Sequence, residues 1–195
     1  MSALLIACSP QLSGTEASAA TTPSTVETPI PTVPASVPMI ELVDAGPAPE
    51  ITNDTWINSD EPLTLDSQRG KVVLLEFWTF GCINCRRVIP YVRQWHDSYA
   101  GDNFQVISIH YPEFAYEREY DNVVEATQQF EIAYPVALDN EGRTWRAYSQ
   151  RYWPTTYLID KEGHIRYKHI GEFHEQSAAE AEAAIQTLLA EITTN

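Results

Sequence analysis

Only three cysteines occur in this 195-residue chain, at positions 8, 82 and 85. A structural zinc site needs four ligands. No second cysteine pair supplies them, and the five histidines, at 96, 110, 164, 169 and 174, show no paired spacing beside the first. Basic residues are scarce as well: 12 Lys and Arg face 27 Asp and Glu, the net charge is −15, and no Lys or Arg precedes Arg69. That excludes the basic footprint with which a protein grips a nucleic-acid backbone, and the acidity serves solubility instead. Long apolar runs are missing too. Met1 to Ala7 is apolar but far too short to span a bilayer, and it lacks the positively charged start of a complete signal peptide. Residues 9–50 have no aromatic residue and hold eight of the thirteen prolines among Ser, Thr and Ala, so they cannot build a core.

What remains is about 145 residues from Ile51 onward, enough for one domain with a sizeable core. Its pattern centres on Glu76-Phe-Trp-Thr-Phe-Gly-Cys82-Ile83-Asn84-Cys85. Lys71 to Leu75, before it, is a short continuous apolar run of the kind that forms a strand buried on both faces. After it Val88, Val92, Trp95 and Tyr99 recur at helical spacing, predicting a helix that starts near Cys82. The cysteines thus stand at a strand-to-helix junction, where the amides and dipole of the helix end stabilise a thiolate at Cys82. Cys85 lies one turn further in, close enough to close a disulfide, so the pair can cycle between dithiol and disulfide. A purely structural bridge across so short a loop would constrain little of the unfolded chain.

This segment resembles the active site of the thioredoxin superfamily. It is most similar to the extracytoplasmic TlpA/ResA-like thiol-disulfide oxidoreductases, and among them to the thioredoxin-like domains associated with DipZ/CcdA-type membrane electron carriers. Pro90, five residues after Cys85, stands where thioredoxins kink this helix, and Trp153-Pro154-Thr-Thr-Tyr-Leu-Ile-Asp160 resembles their cis-proline strand. The similarity runs over residues 50 to 192. It implies an α/β thioredoxin-like fold, a central mixed sheet flanked by helices, with an N-terminal β-hairpin extension.

The resemblance also assigns roles. Cys82 attacks and Cys85 resolves. Glu76 stands where thioredoxins carry a buried carboxylate, and such a group, its pKa raised in an apolar strand, can take the Cys85 proton; the alternative is a carboxylate that merely finds a hydrogen-bond partner. Trp78, Ile83, Asn84, Trp153 and Pro154 are the expected substrate contacts, with a cis Trp153-Pro154 bond laying the Trp153 backbone open to an extended partner. Trp153 is bulkier than the residue thioredoxins place there, which suggests a narrower choice of partner.

Taken in order, the rest of the chain predicts the following elements. Leu5-Ile6-Ala7-Cys8 resembles a bacterial lipobox, so residues 1–8 read as a truncated lipoprotein signal with Cys8 as lipid anchor and no redox role. Residues 9–50 read as a disordered tether able to hold the domain roughly 40 Å or more from a membrane, and 51–195 as the thioredoxin-like domain. Trp56-Ile57 and Leu63-Thr-Leu65 around a turn predict the hairpin. Phe104 to His110 is a strand, and at its carboxyl end His110, read as a loop histidine with a packing or hydrogen-bond role, and Glu113 border the redox site. Glu117 to Phe130 is a helix with Tyr120, Val123, Val124 and Phe130 near one face, Tyr134 to Leu138 a strand, and Arg143 to Tyr152 a helix. Thr155 to Asp160 and His164 to Ile170 form a second hairpin. A capping box, Ser177 to Glu180, starts a last helix whose stripe is Ala178, Ala181, Ile185, Leu188 and Ile192. Trp78, Trp95, Trp145 and most tyrosines are expected in the core, with Trp78 flanking the site.

The function this predicts is a membrane-tethered extracytoplasmic oxidoreductase, by resemblance a reductase of protein disulfides. It would need no cofactor or metal, act as a monomer, and be refilled by a CcdA/DsbD-like membrane carrier. Two alternatives stay open: a peroxiredoxin-like thiol peroxidase, and a noncatalytic lipoprotein of thioredoxin fold that binds a partner or delivers metal.

Overall fold

The computed structural model describes Ile40 and residues 42–192. Cys8 and the tether up to residue 39 lie outside the described residues. Six strands form one sheet in the order β1-β4-β3-β2-β5-β6. They are β1 Trp56–Ile57, β2 Val72–Trp78, β3 Phe104–His110, β4 Val136–Leu138, β5 Thr155–Ile159 and β6 Ile165–Ile170; the helices are α1 Ile83–Tyr99, α2 Tyr120–Gln129, α3 Arg143–Ala147 and α4 Glu175–Ala190. β2, β3 and β4 run parallel, while β1, β5 and β6 add antiparallel pairings. An α/β sheet is what the alternation of strand and helix patterns predicts, and a mixed sheet flanked by helices is what the resemblance implies.

Every residue of β2 is buried, because it lies centrally and both of its faces are covered. Val72, Leu74 and Trp78 point into one core with Val88, Val92 and Trp95 of α1 and Ala181, Ile185 and Leu188 of α4. Val73, Leu75 and Phe77 point into a second, where Ile51, Trp56, Leu65, Tyr148 and Tyr157 pack. The alternation places Glu76 on the α1 side, among the residues that surround Cys85.

Several expected boundaries move. The hairpin over residues 51–65 does not form. Trp56–Ile57 pairs instead with Val136 and Ala137. Asn58, in the left-handed region at φ 59, turns the chain off after two residues, and its side-chain amide donates to the carbonyls of Ile132 and Tyr134 at 2.8 and 3.2 Å. Leu65 gives its amide to the Glu50 carboxylate rather than to a strand partner. The domain also begins before residue 51. The Ala45 amide donates to the Ile165 carbonyl, Ile165 donates back to Gly46, and Ala48 donates to Gly163, each at 2.9 Å, so this part of the expected tether is pinned beside β6.

The helix expected over residues 117–130 splits into a 3₁₀ turn, Ala115–Arg118, and α2, leaving Tyr120 exposed. The one expected to reach Tyr152 stops at Ala147, before the left-handed Ser149. α4 starts three residues earlier than expected, with Ser177 in its first turn accepting the His174 amide at 2.9 Å. Ile192 lies beyond its end and is exposed, off the apolar stripe. Trp145 is only half-buried.

Trp95 is the largest side chain that α1 sends into the core, and it meets Phe173 edge-on at 5.0 Å. Trp95→Ala is expected to lower unfolding free energy by about 3–5 kcal/mol in a denaturant titration, because the cavity is too large to collapse.

Candidate active site

β2 ends at Trp78 and α1 begins at Ile83, and the four residues between them present the first cysteine. Cys82 is the N-cap of α1, with extended backbone (φ −75, ψ 118), and its sulfur accepts the Cys85 amide at 3.4 Å. Sulfur here takes the place of the oxygen that usually satisfies a free amide in the first turn of a helix. Both thiols are unbridged; Cys82 is partly exposed and Cys85 fully buried. The two are therefore unlike. A hydrogen bond from the Cys85 thiol, aided by the amides of Cys85 and Asn84, lowers the Cys82 pKa to about 6, against burial and the nearby Glu113 carboxylate, which raise it. Burial above all, then the bond to Cys82, drives the Cys85 thiol far above its ordinary range, and Glu76 adds to the rise.

Beneath them Glu76 is wholly buried, flanked in register by Ser108 of β3 and Thr156 of β5. Ser108 donates its hydroxyl to Oε2 at 3.1 Å, while Oε1 has no partner. Desolvation raises this carboxyl to about 7, against the bond from Ser108. Tyr134 is buried on the same face, its hydroxyl also without a partner. A carboxyl that titrates near neutrality beside a buried thiol can accept a proton from it.

Around the rim, Trp153-Pro154 is cis. The Trp153 ring stacks on Tyr111 at 5.7 Å and against Trp145 at 4.5 Å. Ile83 and Asn84 are exposed beside Cys82, within reach of a docked chain. Trp78 is not: it is completely buried, its indole set edge-on to His110 at 5.3 Å, so it supports the site from within and cannot touch substrate. His110 is no loop residue. It closes β3, fully buried, with Nε2 3.3 Å from the Thr79 hydroxyl and its ring stacked on Phe80 at 5.6 Å. Burial lowers its pKa to about 4, against the pull of Glu117, which leaves the imidazole neutral. Glu113 is exposed at the rim.

Sequence reasoning placed Glu117 only at the start of a helix. In the structure its buried carboxylate accepts three backbone amides: Gly81 at 2.8 Å on Oε1, and Glu113 at 2.6 Å and Phe114 at 2.8 Å on Oε2. The first of these donors lies 36 residues away, and no local pattern links the two positions.

A family model described as the AhpC/TSA family matches residues 45–168. Protein DipZ of Mycobacterium tuberculosis is 44% identical over 135 residues, which are 68% of this chain and 19% of that protein. The chain thus spans about a fifth of these relatives' length. Thiol-disulfide oxidoreductase YkuV of Bacillus subtilis is 28% identical over 64% of this chain and 84% of its own. Among solved structures, a thioredoxin-like superfamily protein superposes with a TM-score of 0.69 at 30% identity, covering 76% of this chain and 99% of its own. A thiol-disulfide isomerase from Corynebacterium glutamicum gives 0.63 at 26% identity, covering 74% and 98%.

Burial of Glu76 has a consequence for stability. Its folded pKa is about 7 against an ordinary 4.5, so between those values the folded chain binds more protons than the unfolded one and stability falls as pH rises. Glu76→Gln is expected to remove that fall. In paired denaturant titrations the variant should gain roughly 3 kcal/mol on wild type between about pH 4 and 8, and nothing more above. Cys82 and His110 titrate with the opposite sign, but they are common to both proteins and cancel in the difference.

Proposed function

The chain belongs to the AhpC/TSA family, and we propose that it is a thiol-disulfide oxidoreductase of thioredoxin-like type, a reductase of protein disulfides acting outside the cytoplasm. The observation that carries this is the inequality of the two thiols: one partly exposed with its pKa lowered to about 6, the other fully buried and held protonated. Cys82 attacks a substrate sulfur as a thiolate, forming a mixed disulfide and releasing the other substrate sulfur as a thiolate. Cys85 gives its proton to Glu76 and attacks the Cys82 sulfur. The substrate leaves reduced, the Cys82–Cys85 disulfide closes, and two electrons have passed to the substrate. A dithiol on a CcdA/DsbD-like membrane carrier restores the pair by the reverse exchange.

Ile83, Asn84, Trp153 and Pro154 would receive an extended segment of the oxidised protein, the Trp153 backbone pairing with it. Residues 1–8 would supply a lipid anchor at Cys8 and the Pro-rich stretch after them a tether. This fits the likeness to part of a DipZ protein. The domain would work as a monomer. Among the described residues no helix is long and apolar enough to cross a membrane.

Cys85→Ser is expected to trap covalent mixed disulfides with exported proteins, whereas Cys82→Ser should recover none. The reduction potential of the pair in a dithiothreitol series should lie near or below about −250 mV; one near −120 mV would make the protein an oxidase instead. Rapid peroxide consumption by the reduced protein would move the assignment to a peroxidase. Placed behind a complete signal segment in a bacterial host, the full chain should take up labelled fatty acid, and Cys8→Ala should lose it.

A further inference from the structure

The peptide unit joining Phe80 to Gly81 is gripped at both ends by ionic side chains. Its N–H donates to Glu117 Oε1 at 2.8 Å, and its carbonyl accepts Nε of Arg86 at 2.8 Å. Hydrogen bonds to charged groups are stronger than neutral ones, and turning this peptide over would break both. Cys82 is the next residue.

Glu117 is wholly buried, and its other oxygen takes the amides of Glu113 and Phe114, so one carboxylate joins the loops that follow β2 and β3. The fit is tight at Gly81. A Cβ there would collide with Glu117 Oε1 and stand 2.9 Å from the Tyr116 hydroxyl. Only glycine lets the carboxylate come this close.

We propose that Glu117 and Arg86 act together as a clamp on the Phe80–Gly81 peptide, making both of them positioning residues for the Cys82 sulfur. The inference rests on Cys82 being the attacking thiol. Its ionised form depends first on the Cys85 thiol and then on the amides at the start of α1, and a turn free to pivot would lose its alignment with both. A buried negative charge near a thiolate disfavours it by Coulomb repulsion. The clamp and the charge of Glu117 therefore act on Cys82 in opposite directions.

That opposition sets the test. The titratable and charged groups on the elements packed around this turn are Cys85 and Arg86 of α1, Glu76 of β2, neutral His110 of β3, and Glu113 and Glu117 of the following loop, of which Cys85 and Glu113 act directly on the Cys82 thiol; the Trp153-Pro154 turn brings no charge. The reduced full chain is titrated with iodoacetamide, and modification is read by mass spectrometry on the Cys82 peptide alone, which sets Cys8 aside. Glu117→Gln removes the charge and turns amide hydrogens toward backbone donors. Under the clamp its midpoint rises by about one pH unit, a tenfold loss of thiolate at fixed pH, and the Gly81 amide exchanges with solvent at least tenfold faster.

Arg86→Gln, a change on an exposed side chain, should move the midpoint the same way and fold normally, and the double variant should add little to either single change. A midpoint that falls in Glu117→Gln, as removal of its charge alone would give, overturns the proposal. So does an unmoved midpoint with a lowered melting temperature, the mark of a merely structural role. No substrate enters this measurement. The clamp can therefore fail while partner trapping and the potential support a reductase, or hold where they do not.

Discussion

The Cys85 amide points at the Cys82 sulfur across 3.4 Å, and much of the molecule is arranged so that it can. The amide is free because it lies in the first turn of α1, where no carbonyl precedes it. α1 is fixed because Val88, Val92 and Trp95 are buried against the sheet. The sulfur arrives at the right height because β2 is long enough to carry the chain across the whole core before it turns. A partly exposed thiol and a buried one result from a single turn of helix resting on a sheet. The same burial that protonates Cys85 also raises Glu76, so thiol and acceptor are tuned by one cause.

The elements that make the site were the legible ones. β3 has the limits its apolar run implies, and the strand before Cys82 and the helix after it follow from a continuous apolar run giving way to period 3.6. The β5–β6 hairpin also stands where the pattern puts it, and the Trp153-Pro154 bond is cis as the resemblance implies. What could not be read depends on partners distant in sequence. Trp56-Ile57 look like half of a hairpin until β4 takes them, and nothing near residue 56 announces a partner at 136. The Pro-rich stretch reads as tether to residue 50, yet its last residues find backbone partners beside β6. Trp78 looks like a residue flanking the site because it is near Cys82 in sequence. The pleat sends it inward.

Glu117 and His110 teach the same lesson from the side of chemistry. A glutamate at the head of a helix pattern and a histidine at the end of a strand each have an ordinary explanation in one dimension. Their significance is three-dimensional: the glutamate is folded under a glycine far upstream, and the histidine is sealed between two aromatic rings. Buried polar groups that collect backbone donors from several segments leave no periodic trace.

The stacking of Trp153 on Tyr111 and against Trp145 has an entropic consequence. A free indole beside a binding surface samples several rotamers, and fixing it when a partner arrives costs affinity, about 0.5–1.5 kcal/mol for a mobile side chain. Here the three rings are already in contact at 4.5 to 5.7 Å. The ordering of Trp153 is completed when the chain folds, so a protein meeting this edge encounters a wall with one shape.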